Sequence, residues 1–348
     1  MNDTLFAAVV GQPHAVMSLR AAAAAPVHAY LFVGPAGSGK RVAARAFAAA
    51  LLCRLDGCGE CRDCRLALAG EHPDLREVER VGAAISAEQA DEIVRVSVLA
   101  PVEGQRKVLV LDEFHLLRAE AAARLLKTIE EPAASTVFLV LADDVPPELI
   151  TIASRCVRIE LRSIPDAVVA DVLRDEGFAN DVAVEAARSA GGDLDRARLL
   201  AHDPGMAARR RAFAELPHRL DGTGSNVMAA VDELIGLIDG AAAPLQERQA
   251  NEVADLDART AQLGERGSGR KALEERHKRE LRRHRTDELK SGLVALAGTY
   301  RDRLAHGGRE PMAKVTAVAA VHDAIEAMES NPNEPLLLQA LLLRMPPA

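Results

Sequence analysis

The stretch His28-Ala29-Tyr30-Leu31-Phe32-Val33-Gly34-Pro35-Ala36-Gly37-Ser38-Gly39-Lys40-Arg41 runs from an apolar, β-prone segment through a glycine-rich turn into an Ala/Leu-rich segment at 42–52. A strand, a glycine loop and a helix in this order are the setting of G-x-x-x-x-G-K-[S/T]. In that motif glycines let backbone N–H groups curl around phosphates, Lys reaches the outer phosphates and the hydroxyl holds Mg²⁺. Gly34, Gly39 and Lys40 stand at motif positions, Gly37 adds a further bend, and the hydroxyl is replaced by Arg41, a cation. A loop that keeps its cradle and loses its metal ligand predicts a nucleotide-binding relative of the ATPases that does not itself hydrolyse ATP.

A second signature follows in Val108-Leu109-Val110-Leu111-Asp112-Glu113, an apolar strand ending in adjacent acids. This is the usual place for a Mg²⁺-associated Asp and a Glu that activates water. Many buried strands end in acids, so the pattern gains weight only from its place after Lys40, with a strand and a helix between. Working outward, strand-like runs at 29–33, 107–111, 136–141 and 156–161 alternate with helix-like runs at 42–52, 87–98 and 119–130. That alternation predicts an α/β P-loop domain with a parallel sheet covered by helices.

After Ser163-Ile164-Pro165 the strand signals stop. Three short helical runs at 166–176, 180–189 and 194–201, broken by Gly177 and Gly191-Gly192, predict a small helical lid domain at 163–203, following a P-loop domain at 1–162. From 204 to 348 the pattern is helical, with apolar periodicity at 226–239, 291–304 and 311–328. Within this all-α domain 244–290 is a charged insertion, interrupted by glycines at 264–269.

Composition narrows the class. A chain of 348 residues has room for two or three domains, and 49% hydrophobic against 27% charged residues is a globular balance, not a disordered one. With no Trp and only 3% aromatics, packing falls to Ala, Leu and Val, which favours helices. A net charge of −8 gives no global attraction to nucleic acid, so DNA contact is expected to be local or to come through partner chains. The run Arg276-His277-Lys278-Arg279-Glu280-Leu281-Arg282-Arg283-His284-Arg285 could form such a patch. Acids at helical spacing favour a solvated, ion-paired helix face instead. No apolar stretch reaches bilayer length and the N-terminus lacks a signal sequence, so a cytoplasmic location is expected, with no membrane partner.

Four of the five cysteines are Cys53, Cys58, Cys61 and Cys64. Four thiolates at this spacing can close a tetrahedral shell, and Gly57 and Gly59 permit the tight turns. The C-x₂-C-x₂-C-x₃-C-P run of iron–sulfur proteins is absent, and the polar neighbours argue against four reduced core thiols. Structural Zn²⁺ is expected. Further on stands Ser154-Arg155-Cys156; by spacing alone, Arg155 between a helix and a strand reads as a surface salt bridge.

Taken in order, several blocks resemble the AAA+ clamp-loader subunits of bacterial DNA polymerase III, most closely those of the delta-prime type. They are His28-Ala29-Tyr30-Leu31-Phe32, the loop at 34–40, the four cysteines, His72-Pro73-Asp74, and Asp112-Glu113. Leu125-Leu126-Lys127-Thr128-Ile129-Glu130-Glu131-Pro132 and Ser154-Arg155-Cys156 complete them. The likeness spans 6–162, extends weakly through Gly191-Gly192-Asp193-Leu194-Asp195-Arg196-Ala197, and returns at 333–343; the 244–290 region matches nothing. It implies a hetero-pentameric ring of AAA+ subunits that uses ATP to open a sliding clamp and place it on primed DNA, with a C-terminal helical collar. It also implies that Arg155 acts in trans as an arginine finger on the neighbouring subunit's ATP site, which reverses the salt-bridge reading.

The departures from the family are informative. Besides Arg41, the strand at 138–142 leads into Asp143-Asp144 where active relatives carry a phosphate-sensing Thr or Asn. The lid's sensing Arg position holds Asp195, with Arg196 one residue away. The expectation is a subunit without ATPase activity of its own, in which ATP or ADP binds through Gly34, Gly37, Gly39, Lys40, Arg41, Asp112 and Glu113 if at all. Two alternatives are a hydrolysing gamma/tau-type subunit, disfavoured by Arg41 and by the absence of a long tail after 348, and a free-standing AAA+ ATPase.

Overall fold

The computed structural model describes residues 3–80, 84–263, 270–306, 310–328 and 332–346; the glycine interruption at 264–269 lies outside them. The chain divides into two compact units, Met1–Ala197 and Arg198–Ala348. In the first, the order is α1 (Pro13–Ala24), β1 (Ala29–Val33), α2 (Lys40–Leu52), α3 (Arg62–Ala69), β2 (Leu75–Val78), α4 (Ala87–Ser97) and β3 (Lys107–Leu111). Then come α5 (Ala119–Glu130), β4 (Thr136–Ala142), α6 (Ile150–Ala153), β5 (Val157–Glu160), α7 (Asp166–Asp175), α8 (Asn180–Ala190) and the start of α9 (Leu194–Ala201).

All five strands are parallel, in the spatial order β2-β3-β4-β1-β5. Every residue of β1, β3 and β4 is buried, because helices cover both faces of the sheet centre, which explains their unbroken apolar runs. The edge strands differ: β2 buries only Leu75 fully and β5 only Ile159. One face packs Tyr30 and Phe32 against Phe47 of α2, with the Tyr30 and Phe47 rings edge to face at 4.7 Å. The other packs Leu109, Leu111 and Phe138 against Ile93 of α4 and Leu125 and Ile129 of α5. The central strands and their helices match the sequence expectation to within a residue or two. The helices α1 and α3 and the strand β2 carry no clear periodic signal.

The second unit is helical: α10 (Met206–Arg219), α11 (Gly224–Gly240), α12 (Ala243–Leu263), α13 (Arg270–Ala305), α14 (Pro311–Ala327) and α15 (Glu334–Leu342). Phe213, Leu234, Leu296, Tyr300, Val321 and Leu341 meet in its core. Beside that core Arg209 is buried with two acids, Asp203 Oδ2 at 2.5 Å and Glu288 Oε2 at 2.7 Å. The charged region forms helix α12 and the first part of α13, on either side of the glycines at 264–269. Glu252 of α12 receives Arg276 and the His277 ring, Arg248 pairs with Glu280, and Arg285 pairs with Glu334 and Asp239. The basic run is thus an ion-paired helix face. Among the described residues no helix is long and apolar enough to cross a membrane.

His72-Pro73-Asp74 ties β2 to a loop. The Asp74 carboxylate, 1% exposed, accepts backbone N–H groups from Val102, Glu103 (3.0 Å) and Gly104 (2.6 Å), while its own N–H donates to His72 Nδ1 at 3.0 Å. Burial alone would raise the Asp74 pKa; the backbone donors outweigh it and hold the carboxyl below its ordinary range. A depressed folded-state pKa contributes stability above the unfolded value, and that contribution is lost as pH falls through the folded value. Asp74→Asn is therefore expected to lower unfolding free energy at neutral pH by about 1–3 kcal/mol. Urea titrations across pH should show the gap to the unmodified chain closing as pH drops below about 4.

Candidate functional site

The C-terminal ends of the strands converge on one charged cluster, as open parallel sheets require of their ligand sites. The turn after β1 is shaped by Gly37 at φ 74° and Gly39 at φ 84°, left-handed conformations that glycine adopts without a Cβ penalty, and Gly39 caps α2. A Cβ on Gly39 would meet nothing within 4 Å, so the loop is open there, whereas one on Gly37 would fall 2.2 Å from Asp193 Cβ. The start of α9 therefore rests directly on the loop. Ser38 Oγ is buried and has no hydrogen-bond partner among the described residues. A glycine loop that is open over Gly39 and ends at the N-terminus of α2 fits a phosphate.

Each charged group of the cluster has a partner within the chain. The Lys40 ammonium donates to the carbonyls of Gly34 (2.6 Å) and Pro35 (2.8 Å) and pairs with Asp143 Oδ1 at 2.8 Å. The Arg41 guanidinium grips Asp112 Oδ2 through Nε at 3.2 Å and through Nη2, with Glu79 Oε1 3.4 Å from Nη1. Burial opposes its charge, but Asp112 outweighs burial and the Arg41 pKa is raised. Glu113, at φ 51°, is engaged by Arg80 at 3.1 and 3.3 Å. A divalent cation does not fit: position 41 offers no oxygen, and the Asp112 oxygen that would face a metal already holds a guanidinium.

Glu79, Arg80, Asp193 and Gln12 are site residues that motif reading misses. Gln12, 5% exposed, donates from Nε2 to the carbonyls of Ser38 (3.0 Å) and Arg162 (2.5 Å) and accepts the Arg162 N–H at 3.1 Å. It thereby ties the loop to the exit of β5. Glu79, Arg80 and Gln12 had no sequence signal, since β2 shows no periodicity; Asp193 stood only within the block at 191–197.

The four cysteines come together between α2 and α3. Four sulfurs bound to one ion at about 2.3 Å lie about 3.8 Å apart. The Sγ separations here are 3.8 Å for Cys53–Cys58, 3.7 Å for Cys53–Cys61 and 4.0 Å for Cys58–Cys64, and all four lie within 4.8 Å of one another. Backbone N–H groups of Leu55, Cys58, Gly59, Cys61 and Cys64 point at the sulfurs from 3.3–3.5 Å. The N–H groups of Glu60 and Cys61 pull the Cys58 thiol down to about 7, while burial pushes Cys61 and Cys64 up. A cation would ionise all four. The cluster can coordinate a metal ion and leaves no protein-free position on it. The fifth thiol, Cys156, is pushed up to about 12 by burial and stays protonated.

Arg155 lies apart from this cluster, at the turn between α6 and β5. Its Nε is 3.1 Å from Glu130 Oε2 at the end of α5, and Nη1 donates to Thr151 O at 2.8 Å and Ser154 Oγ at 3.2 Å. A third of its side chain is exposed.

Residues 11–165 match the family described as DNA polymerase III, delta subunit. The delta-prime subunit of DNA polymerase III from Pseudomonas aeruginosa is 37% identical over 199 residues, covering 54% of this chain and 60% of that protein. The tau/gamma subunit from Haemophilus influenzae is 33% identical over 201 residues, covering 54% of this chain and 29% of that protein. A gamma-subunit-related protein of solved structure from Thermotoga maritima aligns with 94% of this chain and 97% of its own, with a TM-score of 0.47 and 14% identity. The chain thus spans less than two thirds of the length of these curated relatives. A glycine loop after β1 and acids after β3 give the first unit the layout of a P-loop α/β domain, and helices alone follow β5. Over residues 11–165 the chain matches the DNA polymerase III delta-subunit family, and it is similar to both the delta-prime and the tau/gamma subunits.

The sulfur geometry sets an expectation of one metal ion per chain. Cys64→Ser should abolish the bound metal, because a hydroxyl is a poor substitute for a thiolate on a soft site. It should also lower the melting temperature by about 5–15 °C, the equivalent of a few kcal/mol in a unit of this size. Elemental analysis with calorimetry checks both; a metal-free unmodified chain would end the assignment.

Proposed function

We propose that this chain is a non-hydrolysing AAA+ subunit of a cytoplasmic clamp loader, a member of a hetero-pentameric ring that helps place a sliding clamp on primed DNA. The observation that carries the proposal is the internal pairing of the groups that ATP hydrolysis needs free. Water activation requires a carboxylate like Glu113, which Arg80 engages, and metal coordination requires the place Arg41 takes beside Asp112. The Lys40 ammonium pairs at 2.8 Å with Asp143, one residue past β4, an acid where a phosphate sensor would stand.

On this reading the chain's direct part in chemistry is Arg155. Its contact with Glu130 is a partly exposed ion pair, worth about 0–1 kcal/mol. Exchanging that pair for the phosphates of a neighbouring subunit's ATP is therefore cheap. The planar guanidinium can then stabilise charge on the transferring phosphoryl group. The metal in the four-thiolate site is zinc, supported by the tetrahedral sulfur spacing and by sequence spacing unlike that of iron–sulfur clusters. Its closed shell makes it structural, fastening α3 to the end of α2.

A tau/gamma-type hydrolysing role is the second reading, supported by the 33% identity to such a subunit. ATP turnover by the isolated chain separates the two: the proposal expects none, and expects Lys40→Ala to leave clamp loading nearly unchanged. In a reconstituted loader, Arg155→Ala should slow hydrolysis at the adjoining site by about 10³–10⁵. Metal content and melting temperature should not change, and Arg155→Lys should not restore the rate, because an ammonium lacks the planar fork. A loader carrying Arg155→Ala that turns over ATP at the unmodified rate would return Arg155 to a simple surface ion pair.

A further inference from the structure

Arg155 is held more closely than a surface ion pair requires. Of the five N–H donors on its guanidinium, those of Nη1 go to Thr151 O at 2.8 Å and Ser154 Oγ at 3.2 Å. The Ser154 hydroxyl itself donates to Thr151 O at 2.8 Å, which keeps its oxygen turned toward Arg155. Nε is shut off from solvent and makes no hydrogen bond; the one charged group beside it among the described residues is Glu130, with Oε2 at 3.1 Å. Nη2 has no partner among the described residues. Two nitrogens are thus turned into the protein and the third is presented. The groups that hold them are placed by the core. Glu130 ends α5 directly after Ile129, Thr151 and Ser154 lie on either side of Ile152, and both isoleucines are fully buried in one apolar cluster.

Charge alone argues against an acid here, because a carboxylate beside the guanidinium opposes the approach of an ATP phosphate. Geometry gives it a use. Without Glu130 a buried Nε–H would face no acceptor, and the guanidinium would swing outward to reach water. We propose that Glu130 is a positioning residue that, together with Ser154, aims Arg155 Nη2 at the phosphates of the adjoining subunit's ATP. The inference rests on the reading of Arg155 as a trans finger and adds the residues that hold it ready. A phosphate can meet Nη2 with the Glu130 contact still in place, so the finger arrives already oriented. A catalytic group fixed before reaction loses little entropy in the transition state. Position, not charge, is what Glu130 contributes. Glu131, the next residue along, is an exposed acid without such a contact.

The test is single-turnover phosphate release from a reconstituted loader, in which the site adjoining this chain is resolved as its own phase. Glu130→Ala is expected to slow that phase by about 10–100-fold, less than loss of the arginine itself, with nucleotide affinity there unchanged. Glu130→Gln keeps an acceptor for Nε and should restore the rate to within about threefold of the unmodified loader. Glu131→Ala should leave it within about twofold. In a chain already carrying Arg155→Ala, adding Glu130→Ala should change nothing further, because the two residues act as one unit. Metal content and melting temperature report folding. If Glu130→Ala lowers either, Ser154→Ala, which removes one Nη1 acceptor, decides the matter by slowing the same phase or failing to. The inference is overturned if Glu130→Ala leaves the phase unchanged or speeds it, as a mere competitor of phosphate would. It is also overturned if Glu130→Ala slows the phase equally in the absence of Arg155, or if Glu131→Ala slows it as much. Arg155→Ala keeps the two proposals apart. If it slows the phase and Glu130→Ala does not, only this inference falls; if Arg155→Ala has no effect, the finger reading falls and takes this one with it.

Discussion

Strand β1 pairs in parallel with β4 on one side and β5 on the other, and all five of its residues are buried. That placement leaves the chain one way out: Gly34 N–H bonds back to Ala142 O at 3.2 Å, and the backbone must turn at once into α2. The same pairing sets Asp143 beside Lys40, because Val33 lies opposite Ala142 and the next residue of β4's chain falls level with the loop. Pairing of β3 with β4 brings Asp112 to the same edge, and β2 adds Glu79 and Arg80. The charge cluster is thus a product of register. Sliding β4 by one residue would exchange buried Leu141 for Ala142 on the two faces and move Asp143 off Lys40.

The parts legible in the sequence were those whose physics is local. The β1 run, the glycine loop and the acids ending β3 declare themselves within a dozen residues each, as do the cysteines. What escaped depends on distant chain. Only Leu75 of β2 is well buried, so an edge strand with polar neighbours shows no alternation. The helix α3 is short and charged, and its N-cap is Cys61, whose sulfur accepts the Cys64 N–H, an acceptor that capping rules do not anticipate. Among site residues, Lys40, Arg41, Asp112 and Asp143 were visible, but the pairing among them was not. Glu79 and Asp143 are brought to them by sheet register, and Asp193 by the packing of α9 onto Gly37. Helix α13 was legible as helix, both in the apolar periodicity at 291–304 and in the acid–base spacing of 276–285, but its ion-pair partners on α12 were not.

The two units solve buried charge differently. In the helical unit Arg209 is shared between Asp203 and Glu288 with all three side chains under a tenth exposed, an arrangement in which losing any one member strands the others. In the sheet unit the pairs around Lys40 and Arg41 keep more contact with solvent, so a competing anion can exchange into them at lower cost. Rigidity in one unit and exchangeability in the other follow from depth.

The four-cysteine knuckle also bears on the order in which the sheet unit assembles. Its ligands lie within a dozen residues, so closing that loop costs little chain entropy, and a metal bound there would lock α3 against α2 as soon as both exist. The sheet, by contrast, needs Ala29 to find Phe138 about a hundred residues later, a slow non-local search. Phe47 of α2 is the ring on which Tyr30 and Phe32 pack, and Cys64 shares their cluster. A metal-clasped helix pair would thus present a ready apolar template to the first strand before its long-range partners arrive. The knuckle would act as a nucleus for folding, at a distance in sequence from the pairing it speeds.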